Sequence, residues 1–321
     1  PSGNGEYEAP APVEIFTYPT IDLPWMDRVG LDALATALER FKPTILHCLC
    51  ESRAILARRL AQRLQIPYLL NVNRLPGKFQ RLTISPDHCA KIVAPAETIG
   101  AGVRRAYPRF ADRVQRIPWG TFAEPGPVCF SDPSQVSSIV VAHRIDRVSD
   151  FEVLLKAAKV LFAEGHEFVI AIMGSGRAEH RLRRALAEHG LTRIATVVDV
   201  LDPWRSVLAA GDVFIHLQPT AAFSGFLLEA MSVGVAVVAC KGGVDDLIVH
   251  QKTAILYERN NETSLRQALV HLFENHHAAR ELAALAQSHV REHNSVGAYI
   301  AATLDAYVEA QRQHREPAVS E

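Results

Sequence analysis

Residues 218–231 read QPTAAFSGFLLEAM. They follow the apolar run DVFIHL at 212–217 and lead into SVGVAVVACKGG at 232–243. A buried strand, a loop holding one Pro, one Ser and one Gly, a helix with a single carboxylate (Glu229) and a second buried strand follow one another. This is the repeating unit of a parallel sheet, whose strands need a crossover helix between them. The loop before the helix carries no charge, although loops at the carboxyl ends of parallel strands are where such sheets bind ligands.

Working outward, the same unit repeats along the chain. PTILHCLC, IPYLLNVN, CAKIVAPA and RVQRIPWG read as strands in the first half, and VEIFTY (13–18) reads as an earlier one. GLDALATALERF reads as a helix with Leu31, Leu34 and Leu38 on one face, and SRAILARRLAQRL as a helix with Ser52 at its N-cap. Around EPGPVCFSDPSQ the composition shifts to Pro, Gly and Ser, which marks a linker at 123–136. The alternation then restarts: SSIVVAHR, EFVIAIMGSG, IATVVDV, VFIHL, VAVVAC and TAILY are strands. The intervening helices end at Gly165 and Gly190. The expected architecture is α/β, with two doubly wound parallel sheets facing a cleft. The expected boundaries are a disordered lead-in at 1–12, a first domain at 13–122, the linker, a second domain at 137–290, and a terminal helix and tail at 291–321.

Bulk composition sets limits. The 321 residues favour two domains. A formal net charge of −1 gives no global field that would draw the chain to nucleic acid. No apolar run reaches the ~18 residues that a membrane span needs. The five cysteines (Cys48, Cys50, Cys89, Cys129, Cys240) are odd in number and irregularly spaced, as expected of reduced thiols in the cytoplasm. His47, Cys48, Cys50, His88 and Cys89 meet no zinc spacing, so no metal is expected. The chain begins at Pro rather than Met, which fits a fragment or a trimmed product.

Three motifs could carry chemistry. IMGSG puts Gly174, Ser175 and Gly176 between a strand and a helix. Backbone N–H groups there could approach a phosphate, and a plain tight turn fits as well. A third glycine of the dinucleotide fingerprint is absent. CKGGVDDL repeats the form, with Gly242 and Gly243 before Asp245 and Asp246, each of which could simply cap a helix. Glu229 could bind a ligand, or it could complement its own helix dipole.

Taken in order, Arg144 after a strand, LLKA, IMGSG, GDVFIHLQPT, FLLEAMSVGVAVVA, the GG-plus-acid segment and the terminal helix pair resemble the second half of group 1 retaining glycosyltransferases of the GT-B fold. The first half resembles that family more loosely. The resemblance implies a nucleotide-diphosphate-sugar donor, such as a UDP- or GDP-sugar, and no further cofactor. It implies that Arg144 binds the diphosphate and that Glu229 holds the ribose. Gly174, Ser175, Gly176, Gly242 and Gly243 would line the donor pocket. Thr220, Ala221, Phe223 and Ser224 would lie beside the sugar, and Asp246 near them. It also implies that the terminal helix returns to the first domain, burying Ile300, Leu304 and Tyr307.

The sequence departs from the family at three chemical positions. Ala221 replaces an acid, Ser149 replaces a lysine, and Asn73 replaces a histidine near the reacting centre. The family's first glycine-rich strand–loop has no counterpart. Losing one cation from a desolvated diphosphate clamp costs on the order of 2–4 kcal/mol. Two readings follow. One is a cytoplasmic glycosyltransferase, with Arg144 and Asn73 at the reacting centre and a polysaccharide, lipid or small molecule as acceptor. The other is a catalytically impaired relative acting as a binding or regulatory subunit. The basic first half (Arg53, Arg58, Arg59, Arg63, Arg104, Arg105, Arg109, Arg113, Arg116) fits a solvated face, or peripheral contact with the inner face of a membrane.

Overall fold

The computed structural model describes residues 14–15, 26–77, 82–132, 134–199 and 204–315. The lead-in and the end of the tail lie outside them. Of the expected strand VEIFTY only Glu14 and Ile15 are described, and neither is in a strand.

The first domain contains α1 (Met26–Glu39), β1 (Leu46–Cys48), α2 (Ala54–Leu64), β2 (Tyr68–Asn71), β3 (Cys89–Ala94), α3 (Glu97–Ala106) and β4 (Val114–Arg116). Its strands pair in parallel in the order β1-β2-β3-β4. Every residue of β2 is buried, as expected of a central strand covered on both faces. Ser52 does not cap α2: it sits in a 3-10 turn, Glu51–Arg53, and its hydroxyl meets the Cys50 thiol at 3.1 Å.

The second domain contains β5 (Ser137–Ala142), α4 (Glu152–Ala163), β6 (Phe168–Met173), α5 (Glu179–Glu188), β7 (Ala195–Val198), α6 (Trp204–Ala209), β8 (Val213–His216), α7 (Gly225–Val233), β9 (Ala236–Cys240) and β10 (Ile255–Tyr257). The order is β10-β9-β8-β5-β6-β7, all parallel. Strand order reverses between β5 and β8, so the crevice at their carboxyl ends is the topological switch point. Gly165 and Gly190, just beyond α4 and α5, take φ of +88° and +72°. The stretch between the two sheets is tightly packed: Cys129 and Phe130 are buried, and Gln287 donates to the carbonyls of Gly126 and Ser232.

Three helices follow β10 among the described residues: α8 (Glu262–Glu274), α9 (His276–His293) and α10 (Val296–Arg315). The last returns to the first sheet, where Ala306 and Ala310 pack with Leu69, Val93 and Ile117. Tyr307 donates to or accepts from His47 Nδ1 at 2.7 Å, and Lys91 pairs with Glu309 at 2.6 Å. The expected apolar face is only partly the packed one. Tyr307 is half-buried, but Ile300 and Leu304 are 51% and 54% exposed. The face carrying Ala302, Ala306 and Ala310 wins because small side chains let the helix approach the sheet.

No helix among the described residues is long and apolar enough to cross a membrane. All five cysteines are free.

Candidate functional site

The floor of the β5/β8 crevice is polar and buried. His216 ends β8 with 6% of its surface exposed, and His143 follows β5. Burial pushes the His216 imidazole down to about 4, and the facing His143 adds to the effect. His143 is also lowered by burial, against the pull of Asp150 3.8 Å away. Gln218 Nε2 donates to the Asp150 carbonyl at 3.0 Å. Arg144 lies at the rim with its side chain 80% exposed, paired with Asp146 at 2.5 Å. An ion pair so open to water contributes little to stability and is easily exchanged for another anion. Ser149 lies in the 3-10 turn Val148–Phe151 that follows.

The glycine motifs bring loops together. A Cβ on Gly174 would stand 2.0 Å from the His143 carbonyl oxygen, and one on Gly176 would stand 2.4 Å from that of Ile145. Ile145 N–H donates to the Ser175 carbonyl at 3.0 Å. The tight-turn reading therefore accounts for both glycines without an anion. Gly242 and Gly243 adopt φ of +103° and +83°, and a Cβ on Gly243 would lie 2.5 Å from the Thr220 oxygen. Val244 N–H donates to that oxygen at 2.8 Å.

The uncharged loop is held by its backbone. Leu75 N–H donates to the Ala221 carbonyl at 2.6 Å, and Phe223 N–H to the Asn73 carbonyl at 2.9 Å. Arg74 and Ala222 form an antiparallel bridge between them. Asn73 and Ala221, the two positions that depart from the family at the reacting centre, thus lie in one short bridge across the domain boundary, Asn73 opposite Phe223 and Ala221 opposite Leu75. The Asn73 side chain donates to the Leu49 carbonyl at 2.8 Å, while its Oδ1 is buried without a partner. Ser224 caps α7, its hydroxyl accepting from Leu227 N–H at 3.2 Å.

Glu229 lies one turn into α7 and already has partners. Its Oε1 accepts from Thr121 Oγ1 at 2.7 Å, its Oε2 accepts from Ser232 Oγ at 3.1 Å, and Arg205 of α6 forms an ion pair with Oε2. Arg205 also donates to the Phe122 carbonyl and to Glu124 Oε1, the latter at 3.2 Å. Over this cluster runs an aromatic groove. One part, about 390 Å³, is lined by Trp119, Trp204, Phe223 and Phe226, with Thr220 at its edge. The adjoining part, about 260 Å³, has Trp119, Trp204 and Tyr299 as walls and reaches Glu229. Trp119 stacks edge-on against Phe223, and Trp204 against Phe226. Sequence reasoning missed Trp119, Trp204, Arg205 and Thr121. The available signal was the placement of the two tryptophans, in RIPWG after a strand and beside Arg205 at a helix start.

Asp246 stands elsewhere. No helix opens at Asp245 and Asp246 as the sequence suggested; the segment is a turn. Asp246 Oδ1 instead accepts from Thr98 N–H, in the first turn of α3 of the other domain, at 3.1 Å. Among the described residues no group of three or more His, Cys, Asp or Glu could hold a metal ion.

Residues 137–275 match the model of the family described as Glycosyl transferases group 1. No curated protein matches the chain in sequence. Solved structures of similar fold include a glycosyltransferase from Rickettsia africae, with TM-score 0.73 and 18% identity over 93% of this chain and 84% of that one. Anabaena Alr3699/HepE, solved in complex with UDP-glucose, gives 0.75 and 14% over 92% and 86%. The sucrose-phosphate synthase of Thermosynechococcus elongatus gives 0.70 and 16% over 88% and 78%. The fold is therefore GT-B, and residues 137–275 of the second domain are similar to the group 1 glycosyl transferases.

Proposed function

We propose that this chain is a cytoplasmic, metal-independent glycosyltransferase that moves a sugar from a nucleotide-diphosphate-sugar, such as a UDP- or GDP-sugar, to an acceptor with retention of configuration. The observation that carries the reading is Glu229, a carboxylate on the helix that opens at the switch point, beneath a groove walled by two tryptophans. A carboxylate accepts two hydrogen bonds from a ribose diol, and flat aromatic walls suit a base. The donor would take the place of Arg205 at Glu229. Arg144 would leave its exposed partner, Asp146, for the diphosphate. Thr220–Ser224 carries no carboxylate to act as a nucleophile, so the acceptor's proton would pass to the departing diphosphate. The acceptor would be a polysaccharide, a lipid or a small molecule, and the basic first domain would suit peripheral contact with an anionic membrane face.

The test is calorimetry with UDP, GDP and their sugars. Wild type should bind at least one, and Glu229→Ala should weaken it by roughly 1–3 kcal/mol. Unchanged affinity would reduce Glu229 to a partner of Arg205. The second reading, a binding or regulatory subunit, is favoured by one observation: Asn73 and Leu75 are already bonded to the loop beside the sugar position. Nucleotide binding without transfer or hydrolysis of any nucleotide-sugar would support it. Turnover on the order of 1 s⁻¹ or more would exclude it.

A further inference from the structure

The groove over Glu229 changes character along its length. Its inner part, about 260 Å³, reaches the carboxylate, and its outer part, about 390 Å³, does not. The outer part is walled by Trp119, Trp204, Phe223 and Phe226, and no charged or amide side chain among the described residues lines it. Its two hydroxyls are both engaged. Thr220 donates its proton to the Ala222 carbonyl at 2.7 Å, and Ser224 accepts from Leu227 N–H at 3.2 Å. A sugar or a nucleobase carries several donors and acceptors on its rim, and each one buried without a partner is costly. A hydrocarbon chain carries none, and aromatic walls bury it well.

The walls stand without an occupant. Trp119 is braced edge-on by Phe223 at 5.2 Å between ring centres, and Trp204 by Phe226 at 4.8 Å. Trp119, Trp204 and Phe226 stay only half-buried. The segments that build the groove also expose apolar side chains outside it. Phe122, three residues on from Trp119, is 73% exposed, the most of any large apolar residue among the described ones. Its carbonyl accepts from Arg205, the neighbour of Trp204. Ile300, next to Tyr299 of the inner part, and Leu304, one turn on, are exposed as well. Single exposed apolar side chains need no explanation, but several around an apolar groove mark a binding surface.

We infer that the outer groove holds the alkyl or isoprenoid chain of an amphiphile, with the chain between the two tryptophans and the polar head toward Thr220. The acceptor of the proposed transfer is then a lipid rather than a polysaccharide. Naming the acceptor rests on the transferase reading; the chain site itself does not.

The experiment is calorimetry with hexyl, heptyl and octyl glucoside, octyl maltoside, glucose and maltose, below the concentrations at which micelles form and with no nucleotide present. Affinity should rise about threefold with each added methylene. Exchanging the glucoside head for maltoside should change it less than twofold. Phe226→Ser should weaken octyl glucoside at least fivefold, and Leu304→Ser, on the outer face of α10, should leave it unchanged. Tryptophan emission locates the chain: octyl glucoside should shift it to the blue in wild type but not in the double variant Trp119→Phe with Trp204→Phe. Thermal unfolding of each variant confirms that it is folded. The proposal is overturned if octyl glucoside does not bind or if glucose or maltose binds as tightly. It is also overturned if the emission shift survives in the double variant, or if Leu304→Ser weakens binding as much as Phe226→Ser. Failure here leaves the Glu229 reading intact, because the nucleotide titration contains no amphiphile and reads the inner part of the groove.

Discussion

The stretch before Ser224 and the helix after it face the same interdomain space with different means. Before it, Thr220–Phe223 is fixed by backbone groups: Ala221 and Phe223 bond to Leu75 and Asn73, and Thr220 bonds to Val244. The neighbouring loops close in the same way, with Gly174 and Gly176 against the carbonyls of His143 and Ile145. After it, the contacts are between side chains: Glu229 with Arg205, Thr121 and Ser232, under Trp119 and Trp204. A backbone-fixed region tolerates many side chains but almost no added volume at its glycines. A region fixed by side chains tolerates backbone adjustment but depends on particular charges. The loop needs no charged side chain to hold its place, because its backbone groups bond the main chain of Asn73 and Leu75 in the first domain and of Val244 in its own.

The largest expected effect tests the backbone-fixed region. Gly174→Ala would place a Cβ 2.0 Å from the His143 oxygen, with no flexible side chain to yield. It should cost about 3 kcal/mol or more in urea unfolding. Gly165→Ala and Gly190→Ala meet open space and only a positive φ, so each should cost about 1 kcal/mol. Equal losses at all three positions would mean that the loops can separate and that the comparison is misdrawn.

The next effect tests the floor of the same crevice. The ordinary imidazole value is 6.5, and in the folded protein His216 stays neutral down to about 4. Below pH 6.5 the unfolded chain takes up this proton before the folded one, so stability falls as pH drops and the loss levels off below about 4. The gap corresponds to on the order of 3 kcal/mol. His143, also lowered, acts with the same sign. Urea midpoints between pH 7.5 and 4.5 should decline less steeply for His216→Gln than for wild type. Parallel declines would place the acid sensitivity elsewhere.

The strand–helix alternation was legible because β-branched runs such as SSIVVA and VAVVAC are continuous, as strands buried on both faces must be. Glu229 was legible as a lone charge in an apolar helix. Its partner was not, because Arg205 belongs to another helix and no local pattern pairs the two. The cap reading of Asp246 failed, because no helix opens at it. Its carboxylate accepts instead from Thr98 N–H in the first turn of α3, 148 residues away, a distance no spacing rule spans. On α10, Ile300–Leu304 and Ala302–Ala306–Ala310 have the same helical period, and periodicity alone cannot say which stripe packs. Size decided it.

The smallest expected effect sharpens the side-chain region. Arg205→Ala removes the cation at Glu229 but leaves Thr121 and Ser232 as donors, so the carboxylate keeps two hydrogen bonds. Arg205 is 30% exposed and Glu229 19%, so water and salt screen the pair and the loss of stability should stay near 1–2 kcal/mol. If Arg205 blocks the ribose position, removing it should strengthen nucleotide-diphosphate binding about tenfold, or about 1.4 kcal/mol. Combining it with Glu229→Ala should abolish that gain, since nothing would remain to accept the diol. Calorimetry on both single variants and the double closes the cycle. If Arg205→Ala instead weakens the nucleotide, Arg205 is itself a ligand contact. The groove would then bind its occupant through a cation beside the carboxylate, and Glu229 would serve to hold that cation in place.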